Sequence, residues 1–276
     1  MFWDYDTQWG ADRSRAGNGP ATWGGLEFPN TDRLLQLHEQ HGIPACFAVV
    51  GSAALPGSRP YHDPDQVRRI HAAGHEVGSH SHRHEWLPGL DRAALRETLR
   101  ASKDALEQCI GSEVSAFVPP WNQPFDYPAG WSISLSERRE ARGDRTDLRR
   151  LCEALRESGY RFCRVAYRSL FRRLADRFRG RRVDALGAPE RISGVTCVRL
   201  SAFSGFAEDA RRVLDRCLEE RALAVVYGHP HSLTLGDPQD ERYLVPFLAR
   251  VRELRANGAL DVVLPRDLPV PAVGGS

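Results

Sequence analysis

Short apolar runs alternate with amphipathic stretches along most of the chain. The runs FWDY (2–5), ACFAVV (45–50) and HEVGSH (75–80) have the length and composition of buried strands. Between them, 31–42 and 63–74 carry helix signals, with a polar capping residue at the start and a glycine at the end. The pattern predicts a chain in which strands and helices alternate.

The alternation continues to the end of the chain. Further helices are predicted at 90–111 and 145–159 and near 206–220 and 243–257, and further strands at 114–120, 160–165, 222–229 and 260–265. The stretch 10–30, rich in glycine, asparagine and proline, is predicted as a long loop that forms one wall of a pocket.

This rhythm predicts an α/β fold built on a parallel sheet. Alternation without a linker-like break indicates one catalytic domain over residues 1–276. A barrel is favoured over a doubly wound sheet, because the candidate reactive residues follow several different strands.

Composition and charge narrow the functional class only a little. The 276 residues include 41% hydrophobic and 27% charged positions, which is typical of a globular protein. Since 38 basic residues face 36 acidic ones, and acids interleave with arginines nearly everywhere, no nucleic-acid partner is expected. The densest basic run, 168–182, is better interpreted as a solvated helix face than as a phosphate site.

Cysteine use and the chain ends suggest a compartment. Six scattered cysteines without a CxxC pair predict reduced core residues. The chain starts without a signal-peptide pattern, and no apolar run approaches the roughly 18 residues of a membrane span. We therefore expect a cytoplasmic protein without an integral membrane segment. A short leader before the first strand and the oligomeric state are left open.

A cluster of histidines, GSHSHRHEW (78–86), is the first candidate for chemistry. His80 and His84 are four residues apart, and on a helical turn this spacing places both imidazoles on one face, where they can bind one cation. The alternative is a pair of polar surface residues. Two histidines alone do not decide between these interpretations.

Two carboxylates at the end of the first strand favour the metal interpretation. Asp4 and Asp6 alternate with an aromatic residue, so a turn there can bring both to the rim of the sheet. Two histidines and one carboxylate suit a catalytic divalent ion and leave positions open for water and substrate. One aspartate would then be a ligand and the other a base. The alternative is a pair that caps a loop.

Two later segments add candidate groups. VVYGHPH (225–231) ends an apolar strand in His229, a suitable general acid, and His231 is close enough in sequence to reach the same site. FVPPWNQP (117–124) presents Trp121 as an apolar wall, and backbone N–H groups at its turn are candidates for an oxyanion hole. The alternatives are a histidine satisfied at a strand end and an aromatic in core packing.

Taken in order, DxD, HGIPACFAVVG, AGHEVGSHSHRH, VPPW and YGHP resemble the polysaccharide deacetylase (NodB-homology) family, carbohydrate esterase family four. The resemblance implies a distorted (β/α) barrel and metal-dependent hydrolysis of N-acyl groups. It also implies a role for each matching residue: Asp4 as base, Asp6, His80 and His84 as metal ligands, Trp121 as the third-motif aromatic, and His229 as acid.

Three departures from the family pattern stand out. DYD replaces the frequent adjacent aspartate pair, and Val118 stands where the third motif has the arginine that orients the base. Arg13 and Arg15 are candidates to replace that arginine. The aspartates of the fourth motif, which orient the acid histidine, have no clear counterpart.

These observations predict a metal-dependent hydrolase that removes an N-acyl group, acetyl or formyl, from an amino sugar or a glycosylated biosynthetic precursor. The cofactor is one divalent ion, Zn²⁺ first, with Co²⁺, Ni²⁺ and Fe²⁺ as alternatives. Substrate contacts are predicted for Trp9, Arg13, Trp121 and His231. The alternatives are hydrolysis of a non-carbohydrate amide, such as a cyclic ureide or imide, and a non-catalytic binding barrel.

Overall fold

A computed structural model of the protein describes residues 1–14, 21–124, 146–166, 178, 186, 188–234 and 236–268. Its strands are β1 (Phe2–Tyr5), β2 (Cys46–Val49), β3 (Glu76–Ser79), β4 (Ala116–Phe117), β5 (Phe162–Val165), β6 (Glu190–Ile192), β7 (Val195–Arg199) and β8 (Tyr227–Gly228). Its helices are α1 (Thr7–Ser14), α2 (Ala21–His41), α3 (Pro64–Ala72), α4 (Arg92–Ile110), α5 (Leu148–Glu157), α6 (Glu208–Glu220) and α7 (Glu241–Ala256).

The strands form one curled sheet in the order β6-β7-β5-β4-β3-β2-β1-β8. All neighbouring strands run parallel except β6 and β7, which are antiparallel. The curl brings β8 to the chain that follows β7: Ser201 N–H donates to Val225 O and Gly205 N–H to Tyr227 O, both at 2.9 Å. This confirms the predicted distorted barrel.

The two faces of the sheet bury different sets of side chains. Along β1, Trp3 and Tyr5 join the large apolar cluster that includes helix residues, whereas Phe2 joins a smaller cluster made mainly of strand residues. Because side chains alternate between faces along a strand, Asp4 lies on the same face as Phe2. The first strand therefore holds a carboxylate inside the barrel.

The loop predicted at 10–30 is wrong where the structure describes it. Helix α1 ends at Ser14, and α2 begins at Ala21, ten residues before the predicted helix start. Tertiary contact explains the difference: a Cβ at Gly24 would lie 2.5 Å from Gln8 Oε1, so glycine lets the two helices approach closely. A stretch whose composition is typical of a loop is helical here because packing outweighs local propensity.

One strand pair departs from the predicted parallel sheet, because β6 and β7 form an antiparallel hairpin. The turn residues Ser193 and Gly194 have φ of 47° and 89°, as a two-residue hairpin turn requires. The Ser-Gly pair between short β-type runs was an available signal.

The strand predicted at 222–229 is short, and the strand predicted at 260–265 does not form. Only Tyr227–Gly228 is strand in the first segment, and residues 265–267 are a 3-10 helix. Since β8 is bordered by β1 on one side and by the chain after β7 on the other, the last apolar run has no free edge of β8 to join.

The remaining expectations concern the cysteines, membrane-spanning helices and the basic run. All six cysteines are free and five are buried, as expected for reduced core residues. No helix within the described ranges is long and apolar enough to cross a membrane. Arg15 and most of the basic run 168–182 lie outside the described residues.

Candidate active site

The predicted ligands Asp6, His80 and His84 converge at the carboxyl ends of β1 and β3. His80 Nε2 lies 3.3 Å and His84 Nε2 3.6 Å from Asp6 Oδ1, and all three residues are buried. One ligand atom from each lies within 4.8 Å of the others, and no second group of this kind occurs in the described ranges. We call these three residues the ligand triad.

The two histidines meet through a turn, although the spacing suggested a helical turn. Ser81 and His84 have φ of 63° and 55°, in the left-handed region that non-glycine residues seldom adopt. Hydrogen bonds hold this conformation: Ser81 Oγ accepts from Glu85 N–H at 3.1 Å, and Ser102 Oγ donates to Ser81 O at 2.9 Å. The expected proximity is correct, but its geometric reason is different.

The donor atoms of the triad suit a divalent ion. His80 Nδ1 donates to Val118 O at 2.7 Å, which fixes the tautomer and leaves a lone pair on Nε2, beside Asp6. Asp6 Oδ1 is buried without a hydrogen-bond partner among the described residues. A cation would supply the missing partner, since a buried carboxylate oxygen is costly when nothing neutralises it.

Charges within the triad shift its pKa values. Burial raises the pKa of Asp6, but the adjacent imidazoles of His84 and His80 outweigh burial and hold the pKa well below its usual range. Burial lowers the pKa of His84 to about 3, which keeps the imidazole neutral. A neutral imidazole and an ionised carboxylate are the forms that bind metal.

Glycine makes room for Asp6. A Cβ at Gly10, in α1, would lie 2.5 Å from the Cβ of Asp6, so any larger residue there would displace the carboxylate or the helix. The first turn of α1 is therefore packed directly against a member of the ligand triad.

Asp4 is paired with an arginine that the sequence analysis did not single out. Arg164, from β5, donates from Nη1 to Asp4 Oδ1 at 2.7 Å and from Nη2 to Oδ2 at 2.6 Å. Arg164 is fully buried, and its guanidinium also lies over the Tyr227 ring at 4.5 Å. Burial raises the pKa of Asp4, but Arg164 outweighs this and lowers it overall.

This ion pair answers the question raised by Val118. The arginine beside the candidate base comes from β5 rather than from the segment after β4 that contains Val118, and the candidate Arg13 is exposed at the end of α1. The available signal was an arginine inside the otherwise apolar strand FCRV, since a charge there needs a buried partner.

His229 follows β8 and approaches Asp4. Its Nε2 lies 3.9 Å from Asp4 Oδ2, its Nδ1 lies 3.2 Å from Ser204 Oγ, and its backbone N–H donates to Gln239. Burial lowers its pKa, with the charges of Asp6 and Asp4 acting in the opposite direction. A serine hydroxyl thus contacts the histidine for which the sequence analysis found no orienting aspartate.

The residues predicted to contact substrate differ in burial and in which side chains they contact. Trp121 lies over His84, with ring centroids 4.3 Å apart. Trp9 contacts Tyr61, with centroids 5.1 Å apart, and both tryptophans are half-buried. His231 is buried, with Nδ1 3.2 Å from a carboxylate oxygen of Glu27 and its ring stacked on Trp23 at 4.7 Å.

The turn around Trp121 uses two of its own donors. Asn122 N–H donates to Pro119 O and Gln123 N–H to Pro120 O, both at 3.0 Å. Neither group can therefore serve the oxyanion hole predicted for this turn unless the turn opens.

Comparisons with known proteins find a family model and relatives that resemble parts of this chain. Residues 22–126 match the family model described as polysaccharide deacetylase. A chitooligosaccharide deacetylase of Rhizobium leguminosarum bv. trifolii is 30% identical over 76 residues, 28% of this chain and 33% of that protein. An uncharacterized 30.6 kDa protein of Geobacillus stearothermophilus is 28% identical over 114 residues, 41% of this chain and 40% of that protein.

The structural similarity extends further along the chain. A Mycobacterium smegmatis protein assigned to the polysaccharide deacetylases superposes with a TM-score of 0.60 and 18% identity, over 99% of this chain and 93% of that one. At that identity the similarity concerns the fold. The curated relatives are matched over less than half of their own length.

Proposed function

Because the chain belongs to the polysaccharide deacetylase (NodB-homology) family, we propose that it is a hydrolase that removes an N-acyl group from an amino sugar. The observation that carries this proposal is that the ligand triad, Asp4 and His229 meet at one rim of the barrel. We propose acetyl or formyl as the acyl group and a glycosylated biosynthetic precursor in the cytoplasm as the substrate. Residues 1–276 would act as one catalytic domain.

We propose that the ligand triad holds one divalent ion, with Zn²⁺ first and Co²⁺, Ni²⁺ or Fe²⁺ as alternatives. When bound, such an ion supplies Lewis acidity, which polarises the acyl carbonyl and makes water a better nucleophile at neutral pH. Support comes from the unpartnered Oδ1 of Asp6 and from the hydrogen bond that directs His80 Nε2 toward it.

Asp4 is the proposed base. Arg164 contacts both of its oxygens and keeps the carboxylate ionised, and each oxygen retains a further lone pair that can accept a proton. The rigid pairing fixes the direction of those lone pairs. In this scheme Asp4 takes one proton from the attacking water, a role worth about 10²–10⁴ in rate.

His229 is the proposed acid. It donates a proton to the nitrogen of the breaking C–N bond, so that the amine departs neutral and the acyl group departs as a carboxylic acid. Its pKa is lowered by burial, while the charges of Asp6 and Asp4 favour the protonated imidazole. The protonated acid is therefore best populated when both carboxylates are ionised.

Aromatic residues would frame the substrate. Trp121 covers the ligand triad from one side, and Trp9 lies one helical turn beyond Asp6. The guanidinium of Arg83 lies 5.4 Å from the Trp9 ring, which adds a positive charge to that wall. We propose that Trp9 and Trp121 face the sugar, with Arg13 at the outer rim.

The first experiment measures metal content and substrate release together. Protein purified without a histidine tag is analysed for divalent metals, and the double variant His80→Ala, His84→Ala is prepared in parallel. Both are assayed for released acetate or formate with N-acetyl and N-formyl amino sugars, and for ring opening of a cyclic ureide.

About one ion per chain, absent from the double variant, with acid released from an acylated sugar would support the proposal. Ring opening without acid release would replace the carbohydrate substrate by a cyclic amide. Absence of metal after reconstitution would overturn the proposed chemistry and favour a binding role.

A further inference from the structure

One face of α2 is docked on the short segment that follows His229. Trp23 stacks on the His231 ring at 4.7 Å, Glu27 Oε2 lies 3.2 Å from His231 Nδ1, and Asn30 Nδ2 donates to Pro230 O at 2.8 Å. These α2 residues are four and three positions apart, so they form one stripe on the helix.

Glu27 is the unusual member of this stripe. It is fully buried, and its Oε1 has no hydrogen-bond partner within the described part of the chain. A buried carboxylate is costly, and an apolar residue could fill the same space. The side-chain partner that the structure gives it is His231 Nδ1.

The segment that Glu27 contacts is stiff and short. Residues 230–232 form a 3-10 turn in which Ser232 N–H donates to His229 O at 3.0 Å, and Pro230 separates the two histidines. The rings of His229 and His231 have centroids 5.2 Å apart. Any displacement of His231 is therefore transmitted to His229 through the turn and through ring contact.

We propose that Glu27 is a positioning residue that anchors His231 and, through the 230–232 turn, sets the orientation of His229 relative to Asp4. This inference rests on the proposed function and assigns His231 to positioning rather than to the predicted substrate contact. The acid histidine would then be oriented by Ser204 at Nδ1, by Gln239 at its backbone N–H, and by α2 through the 230–232 turn.

The test compares Glu27→Ala with Glu27→Gln, which keeps an oxygen acceptor for His231. Glu27→Ala is expected to lower kcat at least about tenfold with KM within about twofold, because substrate binding is left intact. Glu27→Gln is expected to keep at least about one third of wild-type kcat, since hydrogen-bond geometry is retained. Arg33→Ala is the matched control on α2, because it removes a half-exposed ion pair with Glu241 and no hydrogen bond to residues 230–232.

A second readout does not depend on turnover. In metal-free protein labelled with ¹⁵N-histidine, imidazole signals are assigned with His229→Gln and His231→Gln. Glu27→Ala should shift the signals of both histidines, and Arg33→Ala should shift neither. Because this measurement needs no substrate, it distinguishes failure of the positioning role from failure of the proposed reaction.

Three results would overturn the positioning role. They are unchanged His229 signals in Glu27→Ala, unchanged kcat in that variant, and a Glu27→Gln variant as impaired as Glu27→Ala. If Glu27→Ala does not fold, Asn30→Ala provides the test that α2 positions His229 through the turn. This variant removes only the hydrogen bond from Asn30 to Pro230 O. A shift of the His229 signals in Asn30→Ala would then support the proposal, and its absence would reject it.

Discussion

The barrel contains two groups of buried histidines that differ in how their nitrogens are satisfied. His38 and His75 have ring centroids 5.2 Å apart and are almost completely buried, as are His80 and His84. In the first group, His38 Nε2 accepts from Trp3 Nε1–H and its Nδ1 donates to Ile43 O, both at 2.8 Å. In the second group, the Nε2 atoms of His80 and His84 lie 3.3 and 3.6 Å from Asp6 Oδ1. That oxygen has no hydrogen-bond partner among the residues that the structure describes.

A histidine with a depressed pKa occurs in each group, so this property alone does not identify a ligand. Burial lowers the pKa of His38 to about 3 and that of His84 also to about 3. What differs is whether the protein itself provides partners for the ring nitrogens and whether a carboxylate joins them. A histidine with both nitrogens bonded to the chain stabilises the core, whereas one aimed at an unpartnered carboxylate is a candidate ligand.

The largest expected effect comes from changing one histidine in each group. His84→Ala should lose bound metal and reduce turnover by a factor of about 10³ or more, because the Lewis acid goes with it. His38→Gln should keep wild-type metal content, since that ring has no ligand role. Elemental analysis and acid-release kinetics measure both variants. Equal metal content in the two variants would contradict the distinction between the groups.

The next prediction separates metal binding from turnover at the candidate site. Asp4→Asn should retain metal but lose activity by about 10²–10⁴, because the amide can still accept from Arg164 and cannot take a proton. Metal content and kcat are measured on the same preparation. Turnover equal to wild type would remove Asp4 from the mechanism.

A third prediction concerns the ion pair beside the ligand triad. Arg164→Met should destabilise the fold by about 3–5 kcal/mol, because it leaves the Asp4 carboxylate buried without its cation. Adding Asp4→Asn should recover part of this loss. Urea unfolding measures the free energies. A single-variant loss below about 1 kcal/mol would show that the buried carboxylate has another partner.

The smallest effect tests the first group through pH. The folded pKa of His38, about 3, lies below its ordinary 6.5, so the unfolded chain binds the extra proton. The stabilisation is complete above the ordinary pKa and is lost as pH falls toward the folded one, which costs about 2 kcal/mol at pH 5. Urea unfolding at pH 7 and pH 5 should show a flatter pH dependence for His38→Gln. Parallel curves for both proteins would refute the assignment.

Local sequence signals predicted much of the fold. The first strand, the helix at 64–72 and the helix at 92–110 agree with the prediction within two residues, because the strand is a short apolar run and each helix has an apolar period and capping residues of its own. The α1–α2 region was missed because glycine and proline suggested a loop, while contact between the helices made it helical. The last apolar run was missed because strand formation depends on an available edge.

The candidate site likewise has features that the sequence predicted and features that only the structure shows. The sequence by itself determined which chemical groups are present: the DYD carboxylates, the paired histidines and the late His229 are short motifs whose residue types define their chemistry. Only the tertiary structure decided which groups act on one another. Arg164 and Asp4 are 160 residues apart, and Glu27 and His231 are 204 apart. Such pairings form because the curl of the sheet brings distant residues together and because burial strengthens the electrostatic interaction between them. Neither effect can be predicted from one short stretch of sequence.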